Sequence, residues 1–122
     1  MSAPNLGSIL VGSSQVDAMK DWYRACFGPD ENEMGAFVFG GVQLFIEEHS
    51  EVSGPNENGH RIILNLDVGD CRGLESHLNS HGATWVREVE QMPFGLIGTV
   101  ADPDGNMLQI IEWGATPDEG HG

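Results

Sequence analysis

Residues 98–112 read GTVADPDGNMLQIIE, a segment in which two apolar runs flank the turn-forming residues DPDGN. The runs 96–101 and Met107–Trp113 are predicted strands, because each is short, apolar and bounded by turn residues. Between them, proline presets φ while glycine and asparagine tolerate positive φ. The segment therefore predicts a β-hairpin.

A strand and a helix are predicted in the first part of the chain. Residues 9–11 form a short apolar run ended by turn residues, which is typical of a strand. The apolar residues that then recur at helical spacing are Val16, Met19, Tyr23, Cys26 and Phe27. Ser14 and Asp17 have the spacing of an N-cap and an acidic first turn, and Gly28 ends the helix. A polar stretch, 29–33, follows it.

A second hairpin follows this polar stretch. The apolar runs 36–39 and 42–47 flank Gly40 and Gly41, which is the pattern of a β-hairpin. Residues 49–59 are rich in Gly, Pro and Asn and predict a loop. The first half of the chain thus reads as a strand, a helix and a hairpin.

The second half repeats this plan with one more strand. Residues 61–68 are a predicted strand, and a helical stripe ended by Gly82 consists of Cys71, Leu74 and Leu78. Residues 83–89 predict a further strand, and 91–95 are rich in turn residues.

The two halves align as an internal duplication. A shift of 55 positions places the first helical stripe on the second and Val11 on Leu66. The final hairpins align at a shift of 64, which places Leu44 on Leu108. The larger shift leaves room for the additional strand, so the first copy is predicted to be compressed.

Composition excludes several classes of protein. The chain has 122 residues, with 19 Asp and Glu against 5 Lys and Arg and a formal net charge of −14. The excess of carboxylates argues against a nucleic-acid partner. No apolar run approaches the ~20 residues of a membrane span, and no secretory signal is evident. Cys26 and Cys71 lack CxxC spacing, so we expect free buried thiols and a cytoplasmic protein.

Residues 98–112 closely resemble the closing hairpin of the vicinal oxygen chelate superfamily, which includes glyoxalase I, bleomycin-resistance proteins, fosfomycin-resistance enzymes and extradiol dioxygenases. VDAMKDWY at 16–23 looks like the first helix of that family, and HGA at 81–83 looks like the end of its second helix. The resemblance covers 6–113 and is closest to metal-free bleomycin-resistance-like members. It implies an α+β fold of two paired βαβββ modules, the first compressed, whose sheets form an open barrel around a cleft.

The resemblance also implies the domain organisation. The chain is expected to be a single domain, 1–122, and to form a homodimer. Its parts are module one at about 6–48, a linker at 49–59, module two at about 60–113 and a tail at 114–122.

The family's metal centre takes one side chain from each of four strands, usually His or Gln and then Glu. Carried over by the motif and the two shifts, these positions are Ser8, Phe45, Ile63 and Gln109. Phenylalanine and isoleucine have no donor atoms, and serine and glutamine are weak ligands. We therefore expect neither a metal nor another cofactor.

Strand parity and the resemblance together give candidate ligand-binding residues. They are Ser8, Leu10, Gln43, Phe45, Glu47, Ile63, Asn65, Phe94, Gln109, Ile111 and Trp113. Leu10, Ile63 and Ile111 also fit simple core packing, and Trp113 also fits a dimer interface.

The resemblance implies a protein that binds a small molecule in the cleft without a metal. The negative charge suits a cationic ligand, and it equally suits a solvated surface. The alternative is a metal-independent isomerase, epimerase or lyase of the same superfamily that acts on a small metabolite. The sequence does not decide whether the protein is an enzyme, and it identifies no catalytic residue.

Overall fold

A computed structural model of the chain describes residues 2–117. Contacts divide the chain after Pro55 into two compact units. Each unit contains one helix and one four-stranded mixed sheet, and neither sheet closes into a barrel within the described residues. The predicted α+β fold of two βαβββ modules is thereby confirmed, while 118–122 of the predicted tail lie outside the described residues.

The first unit has its strands in the order β1-β4-β3-β2, with β1 parallel to β4. Its elements are β1 (Ser8–Gly12), α1 (Val16–Phe27), β2 (Asp30–Glu31), β3 (Phe37–Phe39) and β4 (Val42–Glu47). The predicted hairpin is present as β3 and β4. The stretch 29–33, predicted as a polar connection, contains β2, so the sequence prediction missed a strand there.

The strand β2 has too few residues to show an alternation of polar and apolar side chains. Its place in the sheet is set by contacts with β3 and α1. Glu31 lies opposite Phe37 of β3. The Arg24 Nε and Nη2 atoms of α1 each donate to the Glu31 carboxylate over 2.9 Å. This hydrogen-bonded pairing with Arg24 lowers the pKa of Glu31 from its ordinary value. The first copy is compressed at this strand, because β2 has two residues and the corresponding strand of the second copy, Thr84–Met92, has nine.

Helix α1 packs on one face of its sheet through apolar side chains. Met19, Tyr23 and Cys26 are buried, and the Tyr23 ring stacks on Phe37 with centroids 6.1 Å apart. Gly28 ends the helix in the left-handed conformation, with φ of 56°. This stop agrees with the sequence prediction.

The predicted N-cap of α1 is wrong. Gln15 occupies the cap position and its side chain makes no capping hydrogen bond. The Ser14 hydroxyl instead accepts from the Gly54 N–H over 3.3 Å, and the Ser13 hydroxyl accepts from the Gln15 N–H over 3.0 Å. The serine pair therefore stabilises the approach to the helix rather than its first turn.

The second unit has the strand order β5-β8-β7-β6, with β5 parallel to β8. Its elements are β5 (Ile63–Asp67), α2 (Cys71–Ser80), β6 (Thr84–Met92), β7 (Gly95–Ala101) and β8 (Met107–Trp113). The hairpin predicted from 98–112 is β7 and β8. Strand β6 extends to Met92, so the turn is shorter than the predicted 91–95.

The two cysteines are free and buried, as predicted. Burial raises the pKa of each thiol to about 11, with nearby Glu112 contributing at Cys71. Neither helix of the described residues is long and apolar enough to cross a membrane.

Candidate functional site

In each unit, the helix covers one face of the sheet and leaves the other without a helix. We call this second face the open face of that unit. In the first unit, Leu44 and Ile46 of β4 are buried and share the face of Phe37, against which α1 packs. Because side chains alternate along a strand, the residues between them lie on the open face.

The five candidate residues of the first unit all lie on its open face. Ser8 of β1 is opposite Gln43 of β4, and Leu10 is opposite Phe45. Glu47 follows on the same face two residues later. The predicted parity is therefore correct for Ser8, Leu10, Gln43, Phe45 and Glu47.

This open face carries an apolar pair and a side-chain amide that already has a hydrogen-bond partner. The Leu10 side chain is 56% exposed and lies beside the half-buried Phe45. The Gln43 Oε1 atom accepts from the Asn32 Nδ2 atom over 2.6 Å. Gln43 is thus held by its own unit.

The strand candidates of the second unit also share one open face. Asn65 of β5 is opposite Gln109 of β8. Ile63 precedes Asn65 by two positions, and Ile111 and Trp113 follow Gln109 at the same parity. The structure therefore brings these five residues to one face.

The structure adds Thr99 and Arg87 to this open face. Thr99 of β7 is opposite Gln109, and Arg87 of β6 is opposite Thr99. The Gln109 Nε2 atom donates to the Thr99 hydroxyl over 3.3 Å, and Arg87 Nε donates to the Glu90 carboxylate over 2.6 Å. A polar row of Asn65, Gln109, Thr99 and Arg87 thus crosses all four strands.

The sequence analysis missed these two residues for different reasons. Parity along Gly95–Ala101 would have placed Thr99 on the open face, but the run is otherwise apolar or glycine and predicts only a strand. No such signal existed for Arg87, because the register of β6 shifts between Trp85 and Arg87 and again before Glu90.

The duplication gives the two units matching registers and different chemistry. The shifts of 55 and 64 carry the pair Leu10–Phe45 onto the pair Asn65–Gln109, and both pairs are in register in the structure. The same sheet position is therefore apolar in the first unit and polar in the second. At this position the second unit therefore offers directional hydrogen bonds where the first offers apolar contact.

An aromatic pair lies at the end of the second open face. Phe94, in the turn between β6 and β7, has its ring centroid 5.2 Å from that of Trp113. The Trp113 Nε1 atom donates to Asp67 Oδ1 over 2.8 Å. Asp67 has the parity of Asn65, which is the sequence signal that would have included it among the candidates.

The residues at the family's metal positions do not fit a metal ion. Phe45 and Ile63 offer no donor atom, and the Gln109 amide is bonded to Thr99. Within residues 2–117, no three His, Cys, Asp or Glu side chains are grouped so as to hold a metal ion.

Two βαβββ units in one chain, each with a helix on one face and an open face on the other, define the paired-module class of α+β fold. A family model for the glyoxalase/bleomycin resistance protein/dioxygenase superfamily matches residues 5–110. The chain therefore belongs to this superfamily, as its sequence resemblance indicated. No curated protein matches it in sequence.

Several solved structures share the fold at low sequence identity. A glyoxalase/bleomycin resistance protein/dioxygenase family enzyme from Burkholderia phytofirmans PsJN is 20% identical with a TM-score of 0.73, covering 90% of this chain and 99% of its own. TnmS3, an antibiotic binding protein from Streptomyces sp. CB03234, is 18% identical with a TM-score of 0.72, covering 93% and 98%. A glyoxalase-related enzyme from Fulvimarina pelagi is 21% identical with a TM-score of 0.70, covering 90% and 88%.

Proposed function

We propose that the protein binds a small organic molecule against the open face of the second unit, without a metal. The observation that carries this proposal is the polar row on that face, in which Gln109 and Thr99 lie between apolar neighbours and Asn65 lies opposite Gln109. Apolar walls with a few placed polar groups are typical of small-molecule sites.

The hydrogen-bonding capacity of the polar row supports the proposal. Gln109 donates to Thr99 through Nε2, and its Oε1 atom has no hydrogen-bond partner within residues 2–117. The Asn65 side chain has none in the same range. These amides are able to accept from and donate to a ligand, while the half-buried Ile63 contributes apolar contact.

The comparison with TnmS3 supports the class of function, since that protein of the same fold is an antibiotic binding protein. The candidate residues on the first unit's open face, at Ser8, Leu10, Gln43, Phe45 and Glu47, stay a prediction. So does the role of Phe94.

The proposal is tested by screening cationic antibiotics and small metabolites for a thermal shift, followed by Gln109→Leu. A ligand bound by the native state alone raises its stability. Gln109→Leu should weaken the ligand by ~1–3 kcal/mol, because a polar group of the ligand loses its partner. It should change the stability of the free protein by less than about 1 kcal/mol, since the bond to Thr99 is long.

Thr99→Val is a second variant within the polar row, because it removes the hydroxyl that orients Gln109 and keeps the side-chain shape. It should weaken the ligand less than Gln109→Leu does. Lost stability with unchanged affinity in Gln109→Leu would contradict a binding role. Turnover of the ligand, followed by NMR, would instead support the alternative of a metal-independent isomerase, epimerase or lyase.

We also propose that the protein is a cytoplasmic homodimer. Two free buried thiols suit a reducing compartment. An edge strand exposes backbone groups that a second chain can cover, and β2, at one edge of its sheet, has only two residues. Light scattering after size exclusion measures the mass directly, and a monomer across a range of concentrations would contradict the proposal.

A further inference from the structure

The indole of Trp113 is held in one orientation at the end of the second open face. Its Nε1 atom donates to Asp67 Oδ1 over 2.8 Å, which fixes the ring edge. The Phe94 ring packs beside it, and the Gly114 N–H donates to the Phe94 carbonyl over 2.8 Å, which fixes the turn. A Cβ on Gly95, opposite Trp113 in β7, would meet the Glu112 carbonyl oxygen, so the two strands approach closely beside the rings.

Both rings remain exposed, Trp113 more than Phe94. Trp113 is 61% exposed and Phe94 is 37% exposed. An exposed indole whose edge is fixed by a hydrogen bond is prepared to receive a ligand group at little entropic cost. The aromatic pair therefore has the character of a contact surface rather than of core.

A carboxylate without a cationic partner lies at the edge of this surface. Asp67 is exposed, and its Oδ2 atom has no hydrogen-bond partner within residues 2–117. The ion pairs of the described arginines join Arg24, Arg72 and Arg87 to other carboxylates. With a net charge of −14, the chain adds to the negative potential around Asp67.

The combination of an indole face and a carboxylate at its edge selects for one kind of charge. A cation over the indole is attracted by the ring quadrupole, for which tryptophan is the best partner, and by the nearby carboxylate. A neutral group of the same shape gains only apolar contact, and an anion is repelled. Resting on the function proposed above, we infer that Trp113 and Asp67 form a subsite for the alkylammonium group of the ligand.

The test uses choline and its neutral isostere 3,3-dimethylbutan-1-ol, titrated separately into the ¹⁵N-labelled protein at constant ionic strength. The chain has three tryptophans, and the Trp113 indole N–H signal is assigned by its loss in Trp113→Phe. Choline should shift this signal saturably, and the dissociation constant of the neutral alcohol from the same titration should be at least about threefold higher, as expected for a cation–π contact at an exposed site. Equal dissociation constants for the two compounds would overturn the inference, as would no saturable shift with choline.

Asp67→Asn separates the carboxylate from the aromatic surface, because asparagine keeps an acceptor for the Trp113 N–H and removes the charge. Glu88→Gln on β6 is the matched control, since it removes one charge from the same unit at an exposed position. Asp67→Asn should raise the choline dissociation constant about threefold or more, and Glu88→Gln should change it less than about twofold. Equal effects of the two variants would show general charge attraction and overturn the subsite.

The outcome for the subsite is distinguishable from that for the proposed function. If a screened ligand loses affinity in Gln109→Leu while choline leaves the Trp113 indole N–H signal unchanged, the subsite alone is contradicted. Choline binding at Trp113 together with a Gln109→Leu variant of unchanged ligand affinity would instead contradict the proposed use of the polar row.

Discussion

Gly105 allows the turn between β7 and β8 to close, because its φ of +87° lies where other residues are strained. Gly105→Ala should therefore destabilise the protein by about 1 kcal/mol or more. An added Cβ would also lie 3.2 Å from the Asn56 carbonyl oxygen, which adds crowding to the strain. Urea unfolding gives the free-energy difference.

Gly69→Ala is the control for this substitution. Gly69 has no positive φ and a Cβ built on it meets nothing within 4 Å, so only the flexibility of the unfolded chain changes. Its stability should be unchanged or slightly higher. Equal results for the two variants would contradict the strained turn.

At the scale of the element, α2 has the side-chain cap that α1 lacks. The Asp70 carboxylate accepts from the Gly73 N–H over 3.0 Å. Asp70→Ala should cost about 1 kcal/mol of unfolding free energy, because a helix N–H loses its acceptor. Ser14→Ala, at the position that the sequence wrongly predicts as a cap, should cost less than about 0.5 kcal/mol.

Thermal and chemical unfolding of both variants measure this contrast, and Asp70→Asn should restore most of the lost stability. A larger cost for Ser14→Ala than for Asp70→Ala would mean that the serine, not the aspartate, is the essential cap.

At the scale of the whole molecule, the donor chemistry of the four family positions predicts how the protein responds to metals. As purified, the protein should carry well under one equivalent of Ni, Zn, Mn or Fe, because Phe45 and Ile63 cannot ligate. A chelator should leave the melting temperature unchanged. Elemental analysis together with a melting curve in EDTA makes the measurement.

Gln109→Leu also serves as the control for the metal prediction, since it removes a donor at one of these positions. A stoichiometric metal that is lost in this variant would place Gln109 in a metal site and contradict the prediction.

The sequence determined the paired modules and the faces of the strands β1, β4, β5 and β8. Alternation along short apolar runs has a period of two, so Leu10 with Phe45 and Asn65 with Gln109 could be assigned to open faces before any contact was known. Helix periodicity and Gly28 likewise located α1. These are local properties, and a few residues carry each of them. That the open faces bind a ligand is still a prediction.

Tertiary structure alone decided the features that depend on pairing with other elements. β2 exists because its backbone pairs with β3 and Glu31 bonds Arg24, although its two residues have no pattern. Arg87 lies beside Thr99 because the register of β6 shifts, and no count along the sequence finds such a shift. The bond from Trp113 to Asp67 joins residues 46 positions apart. Such pairings are set by hydrogen bonding between elements, which the propensity of a single segment does not encode.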